Sequence, residues 1–262
     1  MAGKKKPARG SKRACSWFKG RTGTETERGV VAGYLKGLRR TFFDVGAPVR
    51  NRGFGAVFGQ FNFKAKRFVA VILSAKGKLN ILDSGAGFHF FSADLKKSFG
   101  NRVFVTALNP VHYKLPKSDR GRLDAQLKML KTSSVPADAK KARELEAHLE
   151  LLETAEKNAV LVDENRVGMI ETFRAKRKYG LVFDFYGPIF HSRFKPRVLE
   201  AYLRILEPNG ILVTTVRPNE NILALFGPKG GHARQTGFFL QFEPIEGTEL
   251  WKATKMAVKG HD

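Results

Sequence analysis

The chain has 262 residues, 42% of them hydrophobic, which is enough to bury one good core and too apolar for disorder throughout. Its formal net charge of +23 lies far from an ordinary enzyme's balance and would attract nucleic acid or an anionic membrane surface, unless the excess belongs to a basic tail on a nearly ordinary domain. Cys15 is the only cysteine, which excludes an intramolecular disulfide, argues against a cysteine-based zinc site and fits a reducing compartment.

The charge is unevenly spread. Residues 1–70 hold 17 Lys and Arg against Glu25, Glu27 and Asp44, so 14 of the 23 net charges lie there and the tail carries most of the excess. Residues 1–27 mix Lys, Arg, Gly, Ser, Thr and Pro with almost no apolar periodicity and read as a disordered basic tail. No apolar run approaches the length of a membrane span, and the N-terminus lacks the apolar centre of a secretory signal. The expected location is intracellular, in the cytoplasm, with organelle or nuclear targeting by the acid-free N-terminus left open.

Residues 28–67 form a basic helix followed by a Gly/Phe-rich linker. Val31, Leu35, Leu38 and Phe42 recur on one helical face, with Lys36, Arg39 and Arg40 beside it. Phe54, Phe58, Phe61 and Phe63 then alternate with glycines between basic flanks. Such rings can stack the bases of single-stranded RNA, or anchor the segment onto the next domain. Phe68 to Ala75 reads as a short helix.

Residues 68–262 form the main domain. Leu79, Ile81 and Leu82 suit a buried parallel strand ending at Asp83, and Gly85 and Gly87 allow a sharp turn and close approach of a ligand at the next helix's N-terminus. Val103 to Asn109 is a second apolar strand. A helical insertion spans about 112–158. Its first part, to Pro136, is polar and irregular, whereas Ala137 to Asn158 is strongly helical, with Leu145, Leu149 and Leu152 on one face. Five glutamates make that helix the most acidic piece of the chain, a solvated face or a partner for the basic tail.

Tyr179 to Tyr186 is a further strand, and Pro196 to Leu206 a helix with Val198, Leu199, Tyr202, Leu203 and Leu206 on one face. Glu207 to Gly210 stops that helix before a strand at 211–216, and runs near Phe238 to Phe242 and Leu250 to Met256 read as a final strand pair. Strands alternating with helices imply an α/β fold with an open, mainly parallel, seven-stranded Rossmann-like sheet, helices on both faces, and the basic N-terminal extension outside it. Ligands of such sheets sit beyond the strands' carboxyl ends, which gathers Asp83, Gly85, Asn109, Glu171 and Asp184 around one crevice.

The order of motifs from about Phe68 to Val258 resembles the class I SAM-dependent methyltransferases. ILDSGAG is similar to the family's first motif, GLVFDFYG to its fourth-strand motif, and VLEAYLRILEPNGILVTTV to its helix, proline-glycine turn and fifth strand. The resemblance implies S-adenosyl-L-methionine as cofactor, with Asp83, Gly85 and Gly87 at its methionine end, Asn109 at the ribose position and Glu171 near the adenine amino group. It implies that Asp184 faces the methyl group and the substrate. Two positions depart from the pattern. The third glycine is His89, and the second strand ends in Asn109 instead of an acid, so that position lacks charge assistance for the ribose hydroxyls.

Methyl transfer from a sulfonium needs in-line positioning and, for a poor nucleophile, a base. Asp184, Tyr186 and His191 are the catalytic candidates, each with a structural alternative: a strand-end acid can cap the following turn, and His191 can be a surface loop residue. DFYGP is not the motif of enzymes that methylate exocyclic base amines, and the domain has no cysteine for a covalent mechanism. The expected function is a methyltransferase acting on RNA held through residues 1–65. A small-molecule or protein methyltransferase, and a non-catalytic nucleic-acid-binding relative, are the alternatives. No metal is expected, and the oligomeric state is open.

Overall fold

The computed structural model describes residues 63–87, 89–109, 117–185, 187–192 and 195–258. The disordered-tail, basic-helix and Gly/Phe-linker expectations fall outside these residues, apart from Phe63. In order, the elements are α1 (Ala65–Lys76), β1 (Leu79–Ser84), α2 (Phe90–Phe99), β2 (Val103–Asn109), α3 (Lys117–Thr132), α4 (Pro136–Leu161) and β3 (Glu164–Val167). They continue with β4 (Tyr179–Asp184), α5 (Pro188–His191), α6 (Lys195–Ile205), β5 (Leu206–Thr214), α7 (Glu220–Phe226), α8 (Gly231–Thr236), β6 (Phe238–Pro244) and β7 (Trp251–Ala257).

The seven strands make one sheet in the order β3-β2-β1-β4-β5-β7-β6. The pairs β1–β2, β1–β4, β2–β3 and β4–β5 are parallel, and β7 is antiparallel to both β5 and β6. The expected mainly parallel seven-stranded sheet is therefore present. The chain builds outward from β1 in one direction through β2 and β3, then returns to lay β4 against the other side of β1. That reversal is the switch point of the strand order, and in open α/β sheets ligands sit beyond the carboxyl ends of the strands there.

Both faces of the sheet are covered, which explains why its central strands are apolar runs instead of alternating ones. Ile81, Val105, Leu181, Phe183 and Val213 face a cluster containing Val69 and Leu73 of α1 and Phe91 and Leu95 of α2. Leu82, Leu108, Val182 and Leu212, each one residue along the strand or nearly so, face Val198, Leu199, Tyr202 and Leu203 of α6 and Ile222 and Phe226 of α7. Val198, Leu199, Tyr202 and Leu203 of the α6 face read from the sequence are buried as expected, whereas Leu206, expected on the same helix, is the first residue of β5.

Two stretches differ from the sequence reading. Residues 117–132, expected to be irregular, form α3. Leu123, Leu127 and Leu130 recur along it at helical spacing and are half-buried, whereas the other residues of 120–132 are exposed. The helix is held to α4 by Lys131 Nζ to Glu146 Oε1 at 2.6 Å and by an Arg120–Glu153 ion pair. The neighbouring helix α4 supplies a face for this polar segment. In the second stretch, Glu207 to Gly210 does not separate helix from strand. It loops out within β5, where Leu206 already pairs with Tyr179 and Ile211 resumes pairing at Leu181. Asn209 takes the left-handed turn at φ 59°, and a Cβ on Gly210 would lie 2.8 Å from Glu207 O and 3.0 Å from Tyr179 O.

The last strand secures the end of α6. Lys255 of β7 is buried, and its Nζ donates to Leu203 O at 2.9 Å and Leu206 O at 3.0 Å, satisfying carbonyls that the helix end leaves open. Burial, with Lys178 nearby, holds this amine below the usual lysine pKa. Lys255→Met keeps the stem and strands the two carbonyls. It is expected to lower stability by about 1–3 kcal/mol in urea unfolding, and an unchanged midpoint would remove this role.

Candidate functional site

The candidate site is built from the ends of β1, β2 and β4 and the turn after β3. At the end of β1, Asp83 is buried, and its Oδ2 accepts a hydrogen bond from Ser92 Oγ of α2 at 2.5 Å. The next residues turn away on Gly85 (φ 84°) and Gly87 (φ 55°), both in the left-handed region that glycine enters without penalty. Gly85 N donates to Leu108 O at 2.8 Å, tying the loop to the end of β2.

Asn109 ends β2 only 1% exposed. Its Oδ1 accepts from Gly87 N at 2.7 Å and its Nδ2 donates to Gly87 O at 3.1 Å, so the carboxamide clasps one glycine of the loop by both backbone groups. Nδ2 also lies 3.4 Å from His89 Nε2. His89 is buried and immediately precedes α2 at φ 60° and ψ 14°. The position therefore retains a conformation suited to glycine, at a cost of roughly 1–2 kcal/mol for a residue with a Cβ.

At the end of β4, Asp184 is completely buried. Its Oδ1 accepts from Gly187 N at 3.0 Å, and its Oδ2 accepts from Ile189 N at 3.0 Å and from the Tyr202 hydroxyl at 2.6 Å. That hydroxyl also lies 2.8 Å from Ser84 Oγ, so one tyrosine on α6 joins the ends of β1 and β4. Asp184 thus caps the start of α5 with a carboxylate directed into the protein. Burial pushes its pKa up to about 6 against the pull of these three donors, and neighbouring Glu171 adds to the rise. Burial and Asp184 together push the Tyr202 hydroxyl well above its ordinary value.

The loops after β1 and β4 meet backbone to backbone. A Cβ on Gly85 would come within 2.9 Å of Gly187 Cα, and one on Gly187 within 2.5 Å of Ser84 O and 2.6 Å of Asp184 Oδ1. Behind them, Phe91, Phe183 and Phe185 pack as a ring cluster, with Phe91 and Phe183 centroids 4.9 Å apart and edge to face. Glu171 lies in the 3₁₀ turn Ile170–Thr172. Its backbone oxygen accepts from Arg204 at 3.3 Å, whereas its buried Oε2 has no hydrogen-bond partner among the described residues.

Of the residues singled out from sequence, the structure thus gathers Asp83, Gly85, Gly87 and Asn109 at the carboxyl ends of β1 and β2, links Asp184 to them through Gly187, and puts Glu171 within electrostatic reach of Asp184. Tyr186 lies outside the described residues. His191 ends α5, and its side chain lies outside them as well. Ser84, Ser92, Gly187 and Tyr202 are contributors that sequence reasoning did not single out. Tyr202 carried a signal, since a tyrosine on a buried helix face needs a partner for its hydroxyl. Among the described residues no group of His, Cys, Asp and Glu is arranged to hold a metal ion, and no helix is long and apolar enough to cross a membrane.

No protein-family model matches the sequence, and no curated protein matches it. Solved structures do resemble it. A SAM-bound amino pentose methyltransferase from Micromonospora echinaspora aligns with TM-score 0.43 and 13% identity, over 72% of this chain and 89% of that one. A methyltransferase from Geobacter sulfurreducens aligns with TM-score 0.38 and 15% identity, over 94% and 96%. DesVI of Streptomyces venezuelae aligns with TM-score 0.35 and 13% identity over 69% of this chain, which spans 57% of DesVI's length. Likeness at this level assigns neither activity nor ligand, and the fold assignment rests on the strand order and register.

The buried carboxylate gives a signed pH dependence. Because the folded-state pKa of Asp184 is raised to about 6 from 3.8, the folded protein holds this proton more tightly than the unfolded chain. The contribution of Asp184 to stability is therefore greatest below about pH 4, declines as pH rises through about 6, and is level above that. Asp184→Asn removes this segment, so the wild-type-minus-variant difference in urea unfolding free energy is expected to fall between pH 4 and 7. A flat difference would contradict the assignment.

Proposed function

We propose that the chain is a SAM-dependent methyltransferase that acts on RNA. The observation that carries the cofactor reading is the loop after β1. Gly85 and Gly87 are both left-handed there, and the loop stands at the reversal of strand order, where open α/β sheets bind nucleotide-like ligands.

The residues present fit this cofactor. Gly85 and Gly87 place no side chain at the end of β1, and Glu171 Oε2 is a buried acceptor with no donor among the described residues, as an exocyclic amine would supply. Asp83, Gly85 and Gly87 would hold the methionine end, Glu171 the adenine amino group, and Asn109 the loop at the ribose side. When bound, SAM supplies an electrophilic methyl group on a sulfonium. The chain's own part is to fix the acceptor in line and keep water out. Tyr186 and His191, in the segment after β4, would orient the acceptor or take its proton. Asp184, bonded to Gly187, Ile189 and Tyr202, would hold that segment in place.

The RNA assignment rests on charge. Residues 1–70 carry 14 of the 23 net positive charges, and aromatic rings alternate with glycines just before the domain. This combination suits a phosphate backbone with unpaired bases. Within the domain, α4's Glu146 and Glu153 are paired with α3.

Calorimetric titration with SAM is expected to show one site per chain, followed by transfer of labelled methyl to an RNA pool. Gly85→Ala, which drives a Cβ into Gly187, is expected to weaken binding by about tenfold or more. Absence of binding to the folded wild-type chain would overturn the enzyme reading, and labelling of protein or metabolite pools instead of RNA would overturn the substrate. Affinity for single-stranded RNA is expected to fall steeply between roughly 50 and 200 mM salt, with a slope much reduced by deletion of residues 1–50. An unchanged slope would remove the extension from the RNA site.

A further inference from the structure

We infer that Asn109 is a positioning residue that holds the glycine loop ready for its ligand, and that it does not read the ribose hydroxyls. A carboxamide offers an acceptor and a donor on one planar group, whereas an ionised carboxylate only accepts. Gly87 presents both of its backbone groups to residue 109, its N–H at 2.7 Å from Oδ1 and its C=O at 3.1 Å from Nδ2. An aspartate in this place would keep the first bond and set a charged oxygen against the Gly87 carbonyl. The acid that the resemblance leads one to expect would therefore make only one of these two bonds to the loop.

Two further observations point the same way. The other departure from the family pattern, His89, lies at the same spot, with Nε2 3.4 Å from Asn109 Nδ2. The unusual histidine and the unusual asparagine are one local arrangement, in which the amide spans the turn from the second glycine to the start of α2. Asn109 is also fixed from behind, because its own carbonyl accepts from Gly168 N at 2.9 Å in the turn after β3. At 1% exposure its carboxamide has little surface left for a ligand. The loop consequently has its turn set by the protein, and ordering it is not left to the cofactor.

The ligand arm of the test rests on the proposed SAM site, and the backbone arm does not. Full-length wild type and Asn109→Asp are compared by amide hydrogen exchange at Gly87 and by calorimetry with S-adenosylhomocysteine, and the wild type is also titrated with the 2′-deoxy analogue. The expected results are Gly87 exchange at least about tenfold faster in N109D and weaker S-adenosylhomocysteine binding by about tenfold. Wild-type affinity for the deoxy analogue should lie within about threefold of the parent. The inference is overturned if N109D binds more tightly with Gly87 exchange unchanged, or if the wild type loses about a hundredfold on removal of the 2′-hydroxyl. If wild type binds no S-adenosylhomocysteine, the methyltransferase reading fails while Gly87 exchange still decides the role of Asn109. Should N109D not fold, slow Gly87 exchange in the wild type and the deoxy-analogue ratio decide it.

Discussion

The carboxyl end of this sheet depends on one close approach, that of the backbone at Gly85 to the backbone at Gly187. β1 and β4 are hydrogen-bonded neighbours, so the segments leaving them must share the narrow space above their last pair. A side chain on Gly85 would strike Gly187 Cα, and one on Gly187 would strike Ser84 O and the Asp184 carboxylate. The same constraint explains Asp184. Its carboxylate holds the Gly187 and Ile189 amides in the conformation that lets the two loops meet, and Tyr202 ties that carboxylate to Ser84 on the other strand. The burial that makes these bonds strong is also what raises the carboxyl pKa to about 6.

Above this junction the loop is closed by an amide clasp instead of by a ligand. Asn109 and Gly87 exchange two hydrogen bonds, and His89 completes the turn in a left-handed conformation. The conformational cost at His89 persists because its neighbours over-determine the position: it is buried at the head of α2, with Asn109 alongside. A loop ordered in advance in this way spares a ligand the cost of ordering it.

Away from the candidate site, the α3–α4 hairpin replaces a short crossover between β2 and β3. One helix, α4, buries Ala142, Leu145, Leu149, Leu152 and Ala155 against the domain, whereas α3 rests on α4 alone among the helices that contact it closely. Its half-buried leucines and the ion pairs to Glu146 and Glu153 form one seam. Exposed ion pairs contribute little individually, so the leucine stripe is the main reason the hairpin closes.

The sequence by itself determined the secondary-structure alternation, the apolar central strands, the two-sided cover of the sheet and the glycine loop at the end of β1, because these follow from periodicity and from residues with unusual backbone freedom. It also flagged Asn109 and His89 as departures. It was blind to α3, whose weak periodicity becomes a helix only against α4, and to the folding of Glu207 to Gly210 into the β4–β5 pairing, which depends on Tyr179 being beside it. Tertiary structure decided which partners complete the polar residues. Asp184 caps the turn after its strand through Gly187 and Ile189, as the sequence allowed, and only the packing of α6 across the end of β4 adds the Tyr202 hydroxyl. Likewise Asn109 and Gly87 are 22 residues apart, and only the parallel register of β1 and β2 brings the amide to the loop it clasps.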